Sequence, residues 1–237
     1  GHKAAKLIQR TKPTPRRGEE AGEEKNQLLQ DRERQETLTV TTLPCRAGAR
    51  LTEFRNVAVC YDGRTVCRNM TFEVLAGERI ALQGTNGSGK SSLLKLLLGE
   101  DIPHSGTVET MSGLVISYVS QSTDHLRGSL TDFVRDQGLD GSRFRTILRK
   151  LDFPREQFER DLADYSSGQK KKVLLAASLC TQAHLYVWDE PLNFIDVISR
   201  MQVEDLLLAC RPTLLFVEHD ARFCQEIATR HIQVARA

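Results

Sequence analysis

The stretch RIALQGTNGSGKSSLLKLLLGE, residues 79–100, carries the strongest structural signal in this chain. Its first five residues, RIALQ, are typical of a strand, and SSLLKLLLGE has a helical periodicity that ends at a glycine. Between them, residues 84–91 fit the pattern G-x-x-x-x-G-K-[ST]. A strand, a glycine-rich loop and a helix in this order predict a loop whose backbone N–H groups hold phosphate.

Each kind of residue in this phosphate loop has an expected task. The glycines let the backbone fold into a nest of inward-pointing donors, and the following helix adds its partial positive charge. Lys90 is expected to reach the β- and γ-phosphates of a nucleotide, and Ser91 to give a hydroxyl ligand to Mg²⁺. A chance Gly/Ser loop containing a lysine, which is the alternative, does not account for the flanking strand and helix. The predicted nucleotide-binding residues here are Gly84, Asn86, Gly87, Ser88, Gly89, Lys90, Ser91 and Ser92.

The sequence on either side of the loop predicts an α/β fold. Upstream, LTEFRNVAVCYDG and MTFEVLAGERIALQG alternate apolar and polar residues as half-buried strands do. Downstream, the buried strands HLYVWD and TLLFVEH alternate with the helices KKKVLLAASLC and SRMQVEDLLLAC. Residues 129–162 are predicted to be a small, mostly helical insertion. Strands that alternate with helices in this way predict a mainly parallel sheet.

Four polar side chains follow predicted strands, at the edge of the sheet where ligands bind. Asp189 ends HLYVWD and is expected to orient Mg²⁺, while Glu190 polarises the attacking water as general base. Gln121 follows LVISYVS, where its amide could touch both metal and water, and His219 ends TLLFVEH, where its imidazole could bond the γ-phosphate. Adjacent acids can also merely end a strand, and a lone histidine there is usually structural. We predict Glu190, His219 and Gln121 as catalytic residues and Ser91, Gln121 and Asp189 as the Mg²⁺ site.

Two more features are candidates for nucleotide binding. Tyr61 lies at a strand-to-turn position where its ring could stack on adenine, although an aromatic residue in a strand is commonly core. A second phosphate site is predicted at the start of the helix KKKVLLAASLC, because hydroxyls, free N–H groups and adjacent lysines favour an anion. Its residues are Ser166, Ser167, Gly168 and Gln169. Ser166 could instead be only an N-cap, which explains one serine but not the whole string.

The motifs in this order resemble the nucleotide-binding domain of the ATP-binding cassette (ABC) superfamily. They are GTNGSGKS as the phosphate loop, Gln121 in the Q-loop, YSSGQ where the family usually has LSGGQ, WDEP as the second acidic motif, NFID as the D-loop, and His219 as the switch histidine. The resemblance covers residues 51–237. It implies a P-loop NTPase fold with an antiparallel β subdomain and a small helical subdomain at about residues 122–165, preceded by the end of a helical linker, residues 1–50.

The resemblance also implies ATP and Mg²⁺ as cofactors and a second cassette as partner. In this family, the signature serine of one domain caps the γ-phosphate of an ATP that another domain holds. Residues 166–169 would therefore complete the site of a second cassette, in the same polypeptide of the full protein or in a homodimer of this chain. Ser167 departs from the family's usual glycine and adds a side chain where backbone approaches phosphate. The lysine run after the signature either contacts nucleotide or is simply solvated.

Within the superfamily, the chain most resembles the ABC-F branch, whose members act in translation. DEPLNFID and EHDARFCQEIAT are similar to the D-E-P-T-N-x-x-D and H-D-R-x-F patterns of that branch. The resemblance is greatest to its ribosome-protection members, associated with resistance to lincosamides, streptogramins and pleuromutilins. It implies an ATPase that binds ribosomal RNA or tRNA phosphates through a basic helical segment. Two alternatives stay open, namely the ATPase subunit of an ABC membrane transporter and a regulatory domain that binds ATP without hydrolysing it.

Composition favours one domain with an appendage. A chain of 237 residues with 40% hydrophobic content can bury a full core. Residues 1–17 are basic and residues 18–36 mainly acidic, with the break TKPTPRRG between them, which predicts two helical pieces and a joint. The formal net charge of +2 does not by itself announce a nucleic-acid binder.

The sequence also bears on the compartment. No apolar run approaches the ~20 residues that span a bilayer, so we expect no membrane insertion. The six cysteines lack C-x-x-C spacing, and the N-terminus lacks the apolar segment of an export signal. Reduced thiols and a cytoplasmic location are therefore expected.

Overall fold

The computed structural model describes residues 38–237. These residues form one unit, which begins at Leu38. The two helical pieces predicted within residues 1–36 lie outside the described residues, and that part of the linker stays a prediction.

Eight strands and six α-helices make up the described part of the chain. The strands are β1 (Arg50–Tyr61), β2 (Arg64–Leu75), β3 (Arg79–Gln83), β4 (His104–Thr110), β5 (Ile116–Val119), β6 (Leu185–Asp189), β7 (Leu214–Val217) and β8 (Arg230–Gln233). The helices are α1 (Lys90–Leu97), α2 (Leu130–Asp136), α3 (Gly141–Lys150), α4 (Ser167–Cys180), α5 (Val197–Cys210) and α6 (Ala221–Ile227). Two short 3-10 helices, Arg155–Glu159 and Leu162–Asp164, lie between α3 and α4.

A three-stranded antiparallel sheet has the order β2-β1-β4. β1 and β2 form a hairpin that turns at Asp62 and Gly63, whose φ angles of 48° and 73° are those of an Asp-Gly hairpin turn. The buried rings of Phe54 and Phe72 stack across the strand pair with their centroids 4.4 Å apart. The predicted antiparallel β subdomain is confirmed.

The second sheet is parallel and has the order β5-β6-β7-β3-β8. In β6, Tyr186 and Trp188 belong to one hydrophobic core cluster, and Leu185 and Val187 belong to the other. All five residues of this strand are buried, because both faces of the sheet are covered. The predicted α/β fold around a mainly parallel sheet is confirmed.

The register of the parallel sheet brings the ends of its strands together. β3 pairs Leu82 with Val217 of β7, and β6 pairs Asp189 with the same Val217. β5 pairs Val119 with Trp188, the residue before Asp189. The segments that follow β3, β5, β6 and β7 therefore all leave the sheet at one edge.

The predicted mostly helical insertion, residues 129–162, contains α2, α3 and the first 3-10 helix, and the second 3-10 helix begins at its last residue. Ser129 and Asp140 cap α2 and α3 by accepting from backbone N–H groups of the first turn. α3 buries Phe144, Ile147 and Leu148 in the hydrophobic core cluster that also contains residues of α4. No helix within residues 38–237 is long and apolar enough to cross a bilayer.

Residues 38–43, here called the strap, run along the folded unit without helix or strand structure. The Val40 side chain is buried, and its N–H donates to the Cys210 thiol over 3.1 Å. The Leu43 N–H donates to the Ala183 carbonyl over 2.9 Å. The Arg143 guanidinium of α3 donates to the Thr41 hydroxyl over 3.1 Å and to the carbonyl oxygen of Thr39. The strap therefore belongs to the folded unit, although the sequence placed the start of this domain at residue 51.

Candidate functional site

The phosphate loop joins the end of β3 to the start of α1. A Cβ atom at Gly84 would lie 2.4 Å from the Val234 carbonyl oxygen and 2.7 Å from the Ser88 hydroxyl, so only glycine fits there. The Val234 N–H in turn donates to the Gln83 carbonyl over 2.7 Å. Gly89 has a φ of 92°, in the left-handed region that suits glycine, at the N-cap of α1. The backbone of the loop is thus fixed by close packing at Gly84 and by a left-handed turn at Gly89.

Lys90 puts its charge inside this loop. Its ammonium donates to the carbonyl oxygens of Gly84 and Thr85 over 2.6 and 3.0 Å. Burial lowers the pKa of Lys90, whereas the carboxylates of Glu190 and Asp189 raise it. A cation within a ring of backbone groups at a helix N-terminus is suited to a polyphosphate.

Glu190 and His219 meet at the carboxyl edge of the parallel sheet. The Glu190 N–H donates to the Val217 carbonyl over 2.8 Å, which ties the segment after β6 to β7. Glu190 has a φ of 51°, a left-handed conformation that is costly for glutamate and must be held by the surrounding structure. Its Oε1 lies 2.8 Å from Nε2 of His219. The arrangement holds a carboxylate in one orientation beside the phosphate loop.

Asp189 is buried, with 1% of its surface exposed. Among the described residues, neither of its carboxylate oxygens has a hydrogen-bond partner. Burial raises the pKa of this carboxyl, whereas the nearby Ser91 hydroxyl and the Lys171 ammonium lower it. A buried carboxylate without a partner is costly, so its presence needs a functional reason.

The residues around Asp189 fit a magnesium ion. The Ser91 hydroxyl lies 3.5 Å from Oε1 of Gln121, which places two further oxygen atoms at the start of α1. Hydroxyl, amide and carboxylate oxygens are the ligand types that Mg²⁺ prefers. The orphaned oxygens of Asp189 and this donor set support the predicted site of Ser91, Gln121 and Asp189.

We expect Asp189→Asn to stabilise the chain when neither metal nor nucleotide is added. The substitution removes a buried charge, so the free energy of unfolding should rise by about 1 kcal/mol. Urea unfolding at neutral pH measures this gain. The same variant should lose most of the effect of Mg²⁺ on ATP binding. A variant less stable than the parental chain would contradict the cost of burying the Asp189 charge.

The increase in the free energy of unfolding that we expect for Asp189→Asn should also depend on pH. Because the pKa of Asp189 is raised in the folded chain, the folded state binds this proton more tightly than the unfolded state does. Stability is therefore lost as pH rises from the ordinary value of 3.8 through the raised value. The advantage of Asp189→Asn should vanish below this window and be complete above it.

Tyr61 reaches the helix that follows the phosphate loop. Its hydroxyl lies 2.7 Å from the hydroxyl of Ser92, and 40% of the residue is exposed. The ring is therefore near the loop and open to solvent. Its stacking on adenine stays a prediction.

The signature residues, 166–169, start α4 with a capping box. The Ser166 hydroxyl accepts from the Gln169 N–H over 3.1 Å, and the Gln169 side chain accepts from the Ser166 N–H over 3.0 Å. Ser166 is thus an N-cap. The amides of Ser167 and Gly168 have no hydrogen-bond partner among the described residues, as is usual for the first turn of a helix. They provide donors for an anion at the helix start.

The signature residues and the phosphate loop do not form one cluster within this chain. In the part of the chain that the structure describes, no hydrogen bond joins residues 166–169 to residues 84–92. Gly168 instead packs on the D-loop, where an added Cβ would lie 2.6 Å from the Phe194 carbonyl oxygen. The two predicted phosphate sites are therefore not joined by hydrogen bonds within the described residues, and phosphate binding at each stays a prediction.

Sequence reasoning missed Glu218. One of its carboxylate oxygens accepts from the Leu192 N–H over 3.1 Å, and the other from the His219 N–H over 2.9 Å. It thus joins the segment after β6 to the histidine after β7. Its position between a buried strand and His219 was the available signal.

The lysine run after the signature is not simply solvated. Lys171 and Lys172 are buried, with 1% and 8% of their surfaces exposed. Lys172 pairs with Asp196 over 2.8 Å. Burial would raise the pKa of Asp196, but hydrogen bonds from Lys172 and Ser199 bring it to about 2. The signal in the sequence was the placement of both lysines in a helix whose other positions are mostly apolar.

Comparisons with known proteins agree with this geometry. A family profile described as ABC transporter matches residues 67–193. The chain is 33% identical over 195 residues to the ATP-binding protein Uup of Caulobacter vibrioides, covering 78% of this chain and 32% of that protein. It is 31% identical over 180 residues to the probable ATP-binding protein YbiT of Escherichia coli O157:H7, covering 73% and 34%.

A third relative is the ribosome protection protein VmlR of Bacillus subtilis. The two sequences are 29% identical over 193 residues, which is 80% of this chain and 35% of VmlR. The chain spans about a third of the length of the curated relatives that it matches. The similarity to these relatives is consistent with the identification of this chain as an ABC-F cassette.

Proposed function

The chain belongs to the ABC transporter family of ATP-binding domains, and we propose that it binds and hydrolyses ATP as one of two paired cassettes in a cytoplasmic ABC-F protein. Homologues of the domain are ATPases. The observation that carries the proposal is the 2.8 Å contact between the side chains of Glu190 and His219. Glu190 is the residue that follows the buried Asp189 in the chain. A fixed general base, a metal-binding carboxylate and a phosphate loop are the parts that phosphoryl transfer to water needs.

The described residues suggest how the reaction proceeds. The loop N–H groups and Lys90 hold the β- and γ-phosphates. Glu190 accepts a proton from the water whose oxygen attacks the γ-phosphorus, and the bond from that phosphorus to the β–γ bridging oxygen breaks. His219 keeps the Glu190 carboxylate in place. Mg²⁺, when bound by Ser91, Gln121 and Asp189, would offset the charge of the phosphate oxygens.

Pairing with a second cassette is supported by the separation of the two phosphate-binding features. Within residues 38–237, the amides of Ser167 and Gly168 have no hydrogen-bond partner, and they lie at an exposed helix start that makes no hydrogen bond to the phosphate loop. An ATP held by another cassette would satisfy them. The partner would be the other cassette of the same polypeptide, or a second copy of this chain.

We propose further that the whole protein acts on the ribosome, and protects it from or relieves it of antibiotics. The similarity to VmlR, whose name is that of a ribosome protection protein, supports this assignment, as do the D-loop and switch sequences noted above. ATP binding would close the paired cassettes into the ribosome-bound form, and hydrolysis would release them.

Co-sedimentation with ribosomes tests this proposal. The Glu190→Gln variant of the full-length protein should bind ATP, stay closed and pellet with ribosomes. The parental protein, which hydrolyses its ATP, should pellet less. Binding through RNA phosphates should weaken as salt is raised. Lys90→Met, which removes the phosphate-binding cation, is the matched variant that should not pellet.

The competing functions give different results in the same preparation. Recovery of an integral membrane protein without ribosomes would favour a transporter subunit. ATP binding by the full-length protein without any turnover would favour a regulatory domain.

A further inference from the structure

Lys171 is a buried cation whose role the reaction scheme leaves open. It lies in the first turns of α4 with 1% of its surface exposed. Its ammonium donates to the carbonyl oxygens of Ser120 and Gln121 over 3.0 and 2.9 Å. Burying an ammonium is costly, and hydrogen bonds to carbonyls reduce that cost only when their geometry is held.

The two carbonyls belong to the loop that carries a predicted metal ligand. Gln121 directs its side-chain oxygen to within 3.5 Å of the Ser91 hydroxyl. Apart from this contact and the bond to Lys171, the hydrogen bonds described for residues 121–126 are local. They join Asp124 to Ser122, Leu126 to Thr123, and the Ser120 hydroxyl to the Ser122 carbonyl. Lys171 therefore holds the backbone at the start of this loop, at Ser120 and Gln121, while the buried Leu126 side chain packs in the hydrophobic core at its other end.

The same lysine is close to the signature in sequence. α4 begins at Ser167, directly after its cap Ser166, and Lys171 lies on the second turn. The helix that starts at the signature thus carries a side chain, Lys171, whose ammonium reaches the Gln121 backbone. The helix that begins at the signature is therefore hydrogen-bonded to the backbone of the Gln121 loop.

We infer that Lys171 is a positioning residue that ties the signature helix to Gln121 and so places the amide oxygen of Gln121 for Mg²⁺. This inference rests on the proposed function, because it assumes that Ser91, Gln121 and Asp189 bind the ion of an Mg-ATP complex. Lys171 itself touches neither nucleotide nor metal in this role. It acts through the loop backbone.

The test compares nucleotide binding with and without the ion. Lys171→Met keeps an unbranched side chain of similar length but cannot donate to the carbonyls. Its affinity for a fluorescent ATP analogue without Mg²⁺ should equal that of the parental chain. The gain in affinity on adding Mg²⁺ should be smaller by about 10–100-fold, as for other residues that orient metal ligands. Lys171→Arg, which keeps a cationic donor, should recover part of this gain.

Hydrogen exchange gives a readout that does not depend on nucleotide. The amides of residues 120–126 should exchange faster in Lys171→Met than in the parental chain. Lys170→Met is the matched control, because it removes the preceding lysine, whose side chain has no hydrogen bond among the described residues. It should behave as the parental chain in both measurements. Near-UV circular dichroism checks folding, and Lys171→Gln replaces Lys171→Met if that variant does not fold.

The outcomes separate this inference from the proposed function. A folded Lys171→Met chain with the parental response to Mg²⁺ and parental exchange at residues 120–126 overturns the positioning role alone. A parental chain that binds no nucleotide overturns the proposed function and the inference with it. Equal loss of Mg²⁺ response in Lys170→Met and Lys171→Met also overturns the inference, because the effect would then be one of charge.

Discussion

Glu190→Gln is expected to lower the rate of ATP hydrolysis by about 10²–10⁴-fold while leaving ATP affinity unchanged. Glutamine keeps the shape of the side chain and can still hydrogen-bond His219, which lies 2.8 Å from the carboxylate. It cannot accept a proton from the attacking water. The left-handed backbone at this residue should stay as it is, since the φ of 51° is fixed by the bond from its N–H to Val217.

Steady-state phosphate release by the full-length protein and equilibrium binding of a fluorescent ATP analogue measure the two effects separately. Glu226→Gln, which makes the same substitution at an exposed position of α6, is the matched control and should hydrolyse ATP at the parental rate. A Glu190→Gln protein that turns over at the parental rate would remove Glu190 from its role as general base. Loss of ATP binding in that variant would mean that the substitution disturbed the phosphate loop.

Gly168→Ala is expected to lower both the stability of the chain and the turnover of the paired cassettes. The added methyl group would lie 2.6 Å from the carbonyl oxygen of Phe194, and a backbone atom cannot yield as a flexible side chain does. Overpacking of this kind costs about 1–3 kcal/mol. The contact joins the signature to the D-loop, so turnover that requires paired cassettes should fall by up to about 10²-fold, which is the same energy expressed as a rate.

Gly141→Ala provides the matched control for this substitution. Gly141 also lies at the start of a helix, but its added methyl group would meet side-chain atoms at 3.5 and 3.6 Å, which is ordinary contact. It should keep full activity and gain up to about 1 kcal/mol of stability from the helix propensity of alanine. Urea unfolding and phosphate release on both variants decide the matter. Equal behaviour of the two alanine variants would show that the contact between Gly168 and Phe194 does not matter.

The sequence predicted the fold because its signals are local. The strand, loop and helix around residues 79–100 are adjacent in the chain, and the alternation of buried strands and helices sets a parallel sheet. Strand ends were less certain. LVISYVS was predicted as a strand that ends beside Gln121, whereas β5 ends at Val119 and Gln121 lies in the following loop.

The candidate site could be predicted only in part. Asp189, Glu190 and His219 follow apolar strands, and parallel strands carry such residues to a common edge. Contacts between segments that are far apart in the chain are not marked by any such pattern in the sequence. Lys171 and Gln121 are 50 residues apart, and Leu192 and Glu218 are 26 apart. The apolar positions of α4 indicate that lysines in this helix can be buried, but the run of three lysines does not show which two are, because tertiary packing makes that difference.

The strap has a practical consequence for producing this domain on its own. In a recombinant chain that starts at Leu51, the Arg143 guanidinium would lose its hydrogen bonds to Thr39 and Thr41. The Cys210 thiol and the apolar surface on which Val40 packs would also be uncovered. An exposed thiol is prone to oxidation, and an exposed apolar surface is prone to aggregation. Expression of this domain should therefore begin no later than Leu38.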